Sequence, residues 1–205
     1  MPIKLQNERC PGKNLRPLGG KPLLQYQLEA LLSVKEIESV NVYCSDDAVR
    51  PFLPSGTTFL KRPAHLDLAT SNFSQIFSSF MVECDADIYV FDHATAPFVS
   101  TDTIRECLNA VVSGKHDSAF CAVKIQDFLW QDGQPLNFDA TNLPRSQDLK
   151  PVYRETSGVY VFTKEVFKKL HRRVGLTPYI KEVSSREAVD INTEDDFKLA
   201  ESLIN

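Results

Sequence analysis

The chain has 205 residues, 42% hydrophobic and 24% charged, the make-up of a soluble globule with one sizeable core. Its net charge of −4 argues against a nucleic-acid binder, which carries a strong basic surface. No apolar run reaches the roughly 20 residues that span a bilayer, and the polar residues after Leu5 do not read as a signal peptide. The five cysteines are odd in number, scattered and without a CxxC pair. They predict neither a zinc site nor a disulfide framework, and read as reduced thiols of a cytoplasmic protein.

Short apolar runs alternate with longer amphipathic ones. A strand over 2–5 enters a polar loop holding Pro11 and Gly12, and leucines at helical spacing predict a helix over 22–34. The β-branched run 40–44 predicts a strand ending at Ser45-Asp46-Asp47, which can cap a short helix. A short strand over 58–60 and a helix over 72–84 follow, then a strand over 88–91 that breaks at Asp92-His93. Further on come a helix over 101–113 capped by Ser100 or Thr101, strands over 118–123 and 157–162, and a helix over 164–171. A strand over 189–191 and a helix over 193–203 close the chain. This order predicts a single α/β domain over 1–205, its sheet mostly parallel with helices on both faces. Chemistry is then expected outside the C-terminal strand ends.

Residues 126–155 break the rhythm with three prolines, dispersed aromatics and the turn Gln131-Asp132-Gly133-Gln134, a hairpin signal. So long an excursion predicts either an arm that packs on a second subunit or a lid over the site.

The loop after the first strand holds Lys4, Asn7, Arg9 and Lys13, with Gly12 among them. Forked arginine donors and lysine point charges suit a polyanion, and glycine permits close backbone approach. No GxxxxGK[ST] motif is present, so this is not a Walker loop.

The run from Pro11 to Leu23 (PGKNLRPLGGKPL) resembles the opening motif of the cytidylyltransferases that make CMP-activated acidic sugars, the CMP-N-acetylneuraminate and CMP-3-deoxy-manno-octulosonate synthetases. Lys4 stands in place of that family's first Arg and Asn7 in place of its Ser, while Lys13 and Asn14 match. Lys61-Arg62-Pro63, with Ser71 following, resembles the segment that holds the nucleoside. His93-Ala94-Thr95-Ala96-Pro97 resembles a substrate-contacting motif that usually begins with Gln. Arg145-Ser146-Gln147-Asp148-Leu149, then Tyr153 and Ser157-Gly158-Val159-Tyr160, resembles the block lining the sugar pocket and dimer arm, and Val189-Asp190-Ile191-Asn192-Thr193 the metal-binding block, with Asn192 where the family has a second carboxylate.

The resemblance implies a Rossmann-like nucleotide-diphospho-sugar transferase fold with a small β-rich dimerisation arm. It implies a homodimer without nucleic-acid or membrane partners, in which CTP and an acidic 2-keto sugar give CMP-sugar and pyrophosphate with Mg2+. Lys4, Arg9 and Lys13 would act on the phosphates; Asn7, Asn14, Arg62 and Ser71 would join them in holding the nucleotide. His93, Thr95, Arg145 and Gln147 would meet the sugar, and Asp190 and Asn192, or else Asp92, the metal. The same pattern leaves open an acceptor that is a sugar phosphate or polyol phosphate, and a nucleotide-binding paralogue with little turnover.

Overall fold

In the computed structural model, which describes residues 1–204, the chain opens on a two-residue strand, Pro2–Ile3 (β1). A long loop leads to the hairpin Pro17–Leu18 (β2) and Lys21–Pro22 (β3). Gly19 and Gly20 turn this hairpin at φ of 56° and 86°, where L side chains are strained. A Cβ on Gly19 would also lie 2.6 Å from the side chain of Ile204. Pro22 then caps the helix Leu23–Leu32 (α1), at a start where its missing N–H costs nothing.

Val40–Cys44 (β4) matches its predicted bounds, and the Asp46 carboxylate accepts from Ala48 N to start a 3-10 turn over Asp47–Phe52. Thr57–Lys61 (β5) completes an all-parallel sheet in the order β1-β4-β5. Phe73–Glu83 (α2) begins at a reciprocal cap, in which Asn72 accepts from Gln75 N and the Gln75 side chain accepts from Asn72 N. After Ile88–Asp92 (β6), Ser100 caps Thr101–Val112 (α3).

Ser118–Ile125 (β7) leads into the predicted hairpin, Trp130–Gln131 (β8) and Gln134–Pro135 (β9), turned by Asp132 and Gly133 at φ of 50° and 76°. The chain returns through a 3-10 turn over Ser146–Asp148 into one long strand, Val152–Thr163 (β10). Lys164–Leu170 (α4) ends at His171 in the left-handed conformation, and Pro178–Glu182 (β11) and Glu194–Ile204 (α5) follow.

The second sheet, ordered β11-β7-β10-β6, is mixed: β10 runs antiparallel to both neighbours, while β11 is parallel to β7. The strand expected over 189–191 does not form. Ile191 instead donates its N–H to Thr95 O at 2.8 Å, a contact between loops. The expectation also missed β11, whose short run Pro-Tyr-Ile-Lys-Glu lacks an apolar alternation and lies at a sheet edge.

Alternation along β6 builds two cores. Ile88 and Val90 face a layer of α1 and α3 residues, including Leu24, Leu28, Ile104 and Leu108. Tyr89 and Phe91 face an aromatic layer with Phe77 of α2, Phe162 of β10 and Phe167 of α4. Phe77 packs its ring 4.6 Å from Phe167 and 5.0 Å from Phe162; burying one such side chain contributes about 1.5–3 kcal/mol. A third cluster of Cys10, Leu18, Leu23, Ile191, Phe197 and Ala200 joins the N-terminal loop to α5. All five cysteines are free thiols. No helix among the described residues is long and apolar enough to cross a membrane.

Candidate active site

The loop after β1 and the segment before α5, about 180 residues apart in sequence, form one surface. Lys13 Nζ donates to the carbonyl of Ile191, and Arg9 Nη2 donates to Asn192 Oδ1 at 2.9 Å. Asn192 Nδ2 in turn donates to Asp190 Oδ2 at 2.8 Å. Arg16 Nη1 bonds Glu194 at 2.5 Å with its guanidinium 3.9 Å above the Phe197 ring, and Cys10 Sγ reaches the other Glu194 oxygen at 3.3 Å. The strand-like run around Asp190 therefore serves as a brace for the N-terminal loop.

Lys13 is buried, and its pKa is lowered first by that burial, while the charge of Asp190 pushes it back up. An ammonium held this way loses hydration and keeps a strong local field. Asn14 is buried too: its amide donates to Lys4 O at 2.8 Å, which folds the loop back on its own start. Gly12, at φ 67°, faces open space. Asn7 Oδ1 and Asp190 Oδ1 are buried without a partner. The unsatisfied Asp190 oxygen, on a carboxylate whose charge acts on the buried Lys13, marks a surface built to take something more.

Arg62 is only 3% exposed. Its Nη2 is spent on Ile3 O at 2.8 Å and on the carboxylate of Asp67, and its Nε is buried unpartnered. The side chain thus braces the end of β1 from beneath. Ser71, partly exposed, donates to His65 O at 3.2 Å.

His93 follows β6 and takes its place by donating its N–H to Gly158 O at 3.3 Å. Its ring lies 5.1 Å from Phe91 and 6.2 Å from Tyr160. Burial, followed by the positive charge of Arg173, lowers its pKa to about 4, against a smaller upward pull from Asp190. His93 is a neutral imidazole at physiological pH. Thr95 offers its carbonyl to Ile191 N, which ties this loop to the brace around Asp190.

Arg145 and Gln147 stand apart from this group. They sit on the exposed 3-10 turn of the arm, Arg145 paired with Asp148 at 2.7 Å and the Gln147 carbonyl accepting from Gln126. Asp92 lies apart from the loop surface as a fully buried side chain with both oxygens unpartnered, and burial raises its pKa well above the usual range.

Among the described residues there is no cluster of three or more His, Cys, Asp or Glu side chains placed to hold a metal. Magnesium, however, keeps several waters and is commonly held by one or two carboxylates plus substrate phosphates. The orphaned Asp190 Oδ1 fits that requirement; the Asn192 amide oxygen is occupied by Arg9. Sequence reasoning missed Asp67 and Arg173, whose importance depends on contacts across the fold, and read Glu194 only as part of a helix start.

A family model described as Cytidylyltransferase matches residues 2–203. The N-acylneuraminate cytidylyltransferase of Oncorhynchus mykiss is 26% identical over 204 residues, covering 95% of this chain and 47% of that protein. The pseudaminic acid cytidylyltransferase of Campylobacter jejuni is 23% identical, covering 82% of this chain and 78% of that one. The chain spans about half the length of the acylneuraminate relatives it matches. A solved CMP:2-keto-3-deoxy-manno-octonic acid synthetase complexed with CTP superposes with a TM-score of 0.73 at 17% identity, covering 99% of this chain and 95% of that one.

Proposed function

This chain belongs to the cytidylyltransferase family, and from that premise we propose that it transfers CMP from CTP to an acidic 2-keto sugar and releases pyrophosphate. The observation that carries the reading is the buried Lys13 beside the orphaned Asp190 oxygen, at the end of β1. In such a transfer the sugar hydroxyl attacks the α-phosphorus in line, and negative charge grows on the transferring group and on the leaving pyrophosphate.

Lys13, already desolvated and fixed by the Ile191 carbonyl, opposes that charge without reorganising. Arg9, exposed at the loop's rim, and Lys4 at its start add cations for the outer phosphates. Asn7 and Asn14 shape the loop, and Arg62 and Ser71 border the nucleoside end. Asp190 would hold Mg2+, with Asn192 keeping its carboxylate in place. The ion would supply charge neutralisation on the phosphates. His93, held neutral, can exchange a hydrogen bond with the acceptor without adding a positive charge there.

The arm is proposed to dimerise the protein. It exposes Phe128, Trp130, Leu136, Leu143 and Tyr153 at 39–66% of their surfaces, an apolar concentration that monomers rarely leave bare. A second subunit over this surface would bring Arg145 and Gln147 against a partner rather than against solvent. The test of the reaction is pyrophosphate release across CTP, UTP, ATP and GTP with acidic sugars, sugar phosphates and polyol phosphates. Release with CTP and an acidic sugar is expected. Release only with a phosphorylated acceptor would replace the reading, and CTP binding without release would make the protein a binding module.

A further inference from the structure

Beyond His93 lies a cluster that the phosphate site does not use. Arg173 lays its guanidinium 3.7 Å from the centroid of Tyr160 and 5.7 Å from that of Phe73. Its Nη2 donates to the Tyr160 hydroxyl at 2.9 Å and to Glu155 Oε1 at 3.3 Å. Among the described residues its Nε and Nη1 make no hydrogen bond, although the side chain is only 28% exposed. Arg173 is also the charge that acts most strongly on His93, ahead of Asp190 and Lys13.

The segment carrying Arg173 is held firmly. Asp117, just before β7, accepts from Leu176 N at 2.7 Å and from Thr177 N at 3.2 Å, while Ser118 Oγ accepts from Gly175 N at 2.8 Å. A Cβ on Gly175 would fall 2.3 Å from the Asp117 carboxylate, so the turn closes directly on its anchor. Arg172 adds a bond to Gly175 O at 3.3 Å.

A guanidinium pinned over the Tyr160 ring, with Nε and Nη1 left over, is preorganised for a planar oxyanion, which completes a two-pronged pair once it displaces Glu155 from Nη2. Its one ion-pair partner, Glu155, is 44% exposed, and such a pair is screened and weak. We infer that Arg173 anchors the carboxylate of the sugar acceptor and so selects acidic sugars over neutral ones. The assignment rests on the acidic-sugar reading above and adds to it the residue that recognises the acid.

The test uses the full chain with Mg2+ and CTP, with N-acetylneuraminate, 3-deoxy-manno-octulosonate and the methyl ester of each as probes. Arg173→Met should raise KM for the acid at least tenfold and change KM for CTP less than twofold. Arg173→Lys, which keeps the cation but loses the fork, should fall between, and serves alone if the Met variant does not fold. The methyl ester should be a poor acceptor for the wild type and no poorer for either variant.

An unchanged KM for the acid overturns the assignment. Equal losses on acid and ester also overturn it, because Arg173 would then be only a packing pin over Tyr160. If the wild type turns over neither acid while releasing pyrophosphate with a phosphorylated sugar, the acidic-sugar reading itself fails and takes the anchor with it.

Discussion

Replacing His93 by Gln, the residue usual at this place in the resembled motif, should flatten part of the protein's acid sensitivity. The fold holds the imidazole pKa at about 4, against 6.5 in the unfolded chain, because burial and Arg173 oppose the charged form. As pH falls below about 6.5 the unfolded state takes up the proton first, so stability is lost down to about pH 4 and is level below that. At 1.36 kcal/mol per pH unit the full gap is about 3 kcal/mol, of which about 2 kcal/mol falls between pH 7 and pH 5. Asp92 has the opposite sign: its raised pKa makes the folded state take the proton first, so it adds stability on acidification. That contribution is common to both proteins and cancels in the comparison. Urea unfolding followed by far-UV circular dichroism at pH 7 and pH 5 measures the difference directly. The wild type should lose about 2 kcal/mol more than His93→Gln, a further drop in Tm of about 4–8 °C for a domain of this size. Parallel pH profiles for the two proteins would refute the buried, neutral imidazole.

The remaining predictions concern the site and the arm. Lys13→Ala should lower turnover at least tenfold, about 1.4 kcal/mol of transition-state stabilisation; steady-state kinetics close to wild type would remove the phosphate assignment. Asp190→Ala should abolish the dependence of rate on magnesium concentration, and an intact magnesium titration would show that the ion is held elsewhere. Deleting residues 131–144 should reduce the molecular mass seen by light scattering to that of a monomer; an unchanged mass would separate the arm from assembly.

Much of the scaffold was readable because its signals are local. The β-branched run of β4, the leucine spacing of α1 and the Asp132-Gly133 hairpin each carry their own instruction. The 189–191 run deceived because apolar alternation predicts a strand only where a neighbouring strand is available, and Ile191 is claimed by Thr95 and Lys13 instead. The antiparallel placement of β10 was hidden because its first half reads as part of the arm. At the site, spacing brought Lys4, Asn7, Arg9, Lys13 and Asn14 together on one loop. Only the resemblance linked them to Asp190 and Asn192, which are nearly the whole chain away. Arg173 had no signal in the sequence, since its meaning depends on the Tyr160 and Phe73 faces and on the Asp117 anchor that hold it.

The register shift in β10 between Glu155 and Tyr160 bears on how the arm can change length. On its core side the strand is locked to β6 from Val159 to Thr163 and to β7 from Tyr160 to Phe162, and on its arm side it pairs with β7 alone. The irregularity acts as a joint where an added or lost residue can be absorbed before it reaches Tyr160. On the proposal that the arm carries the subunit contact, a change of length there would alter that contact and leave the pairing of Val159–Thr163 with β6 in place.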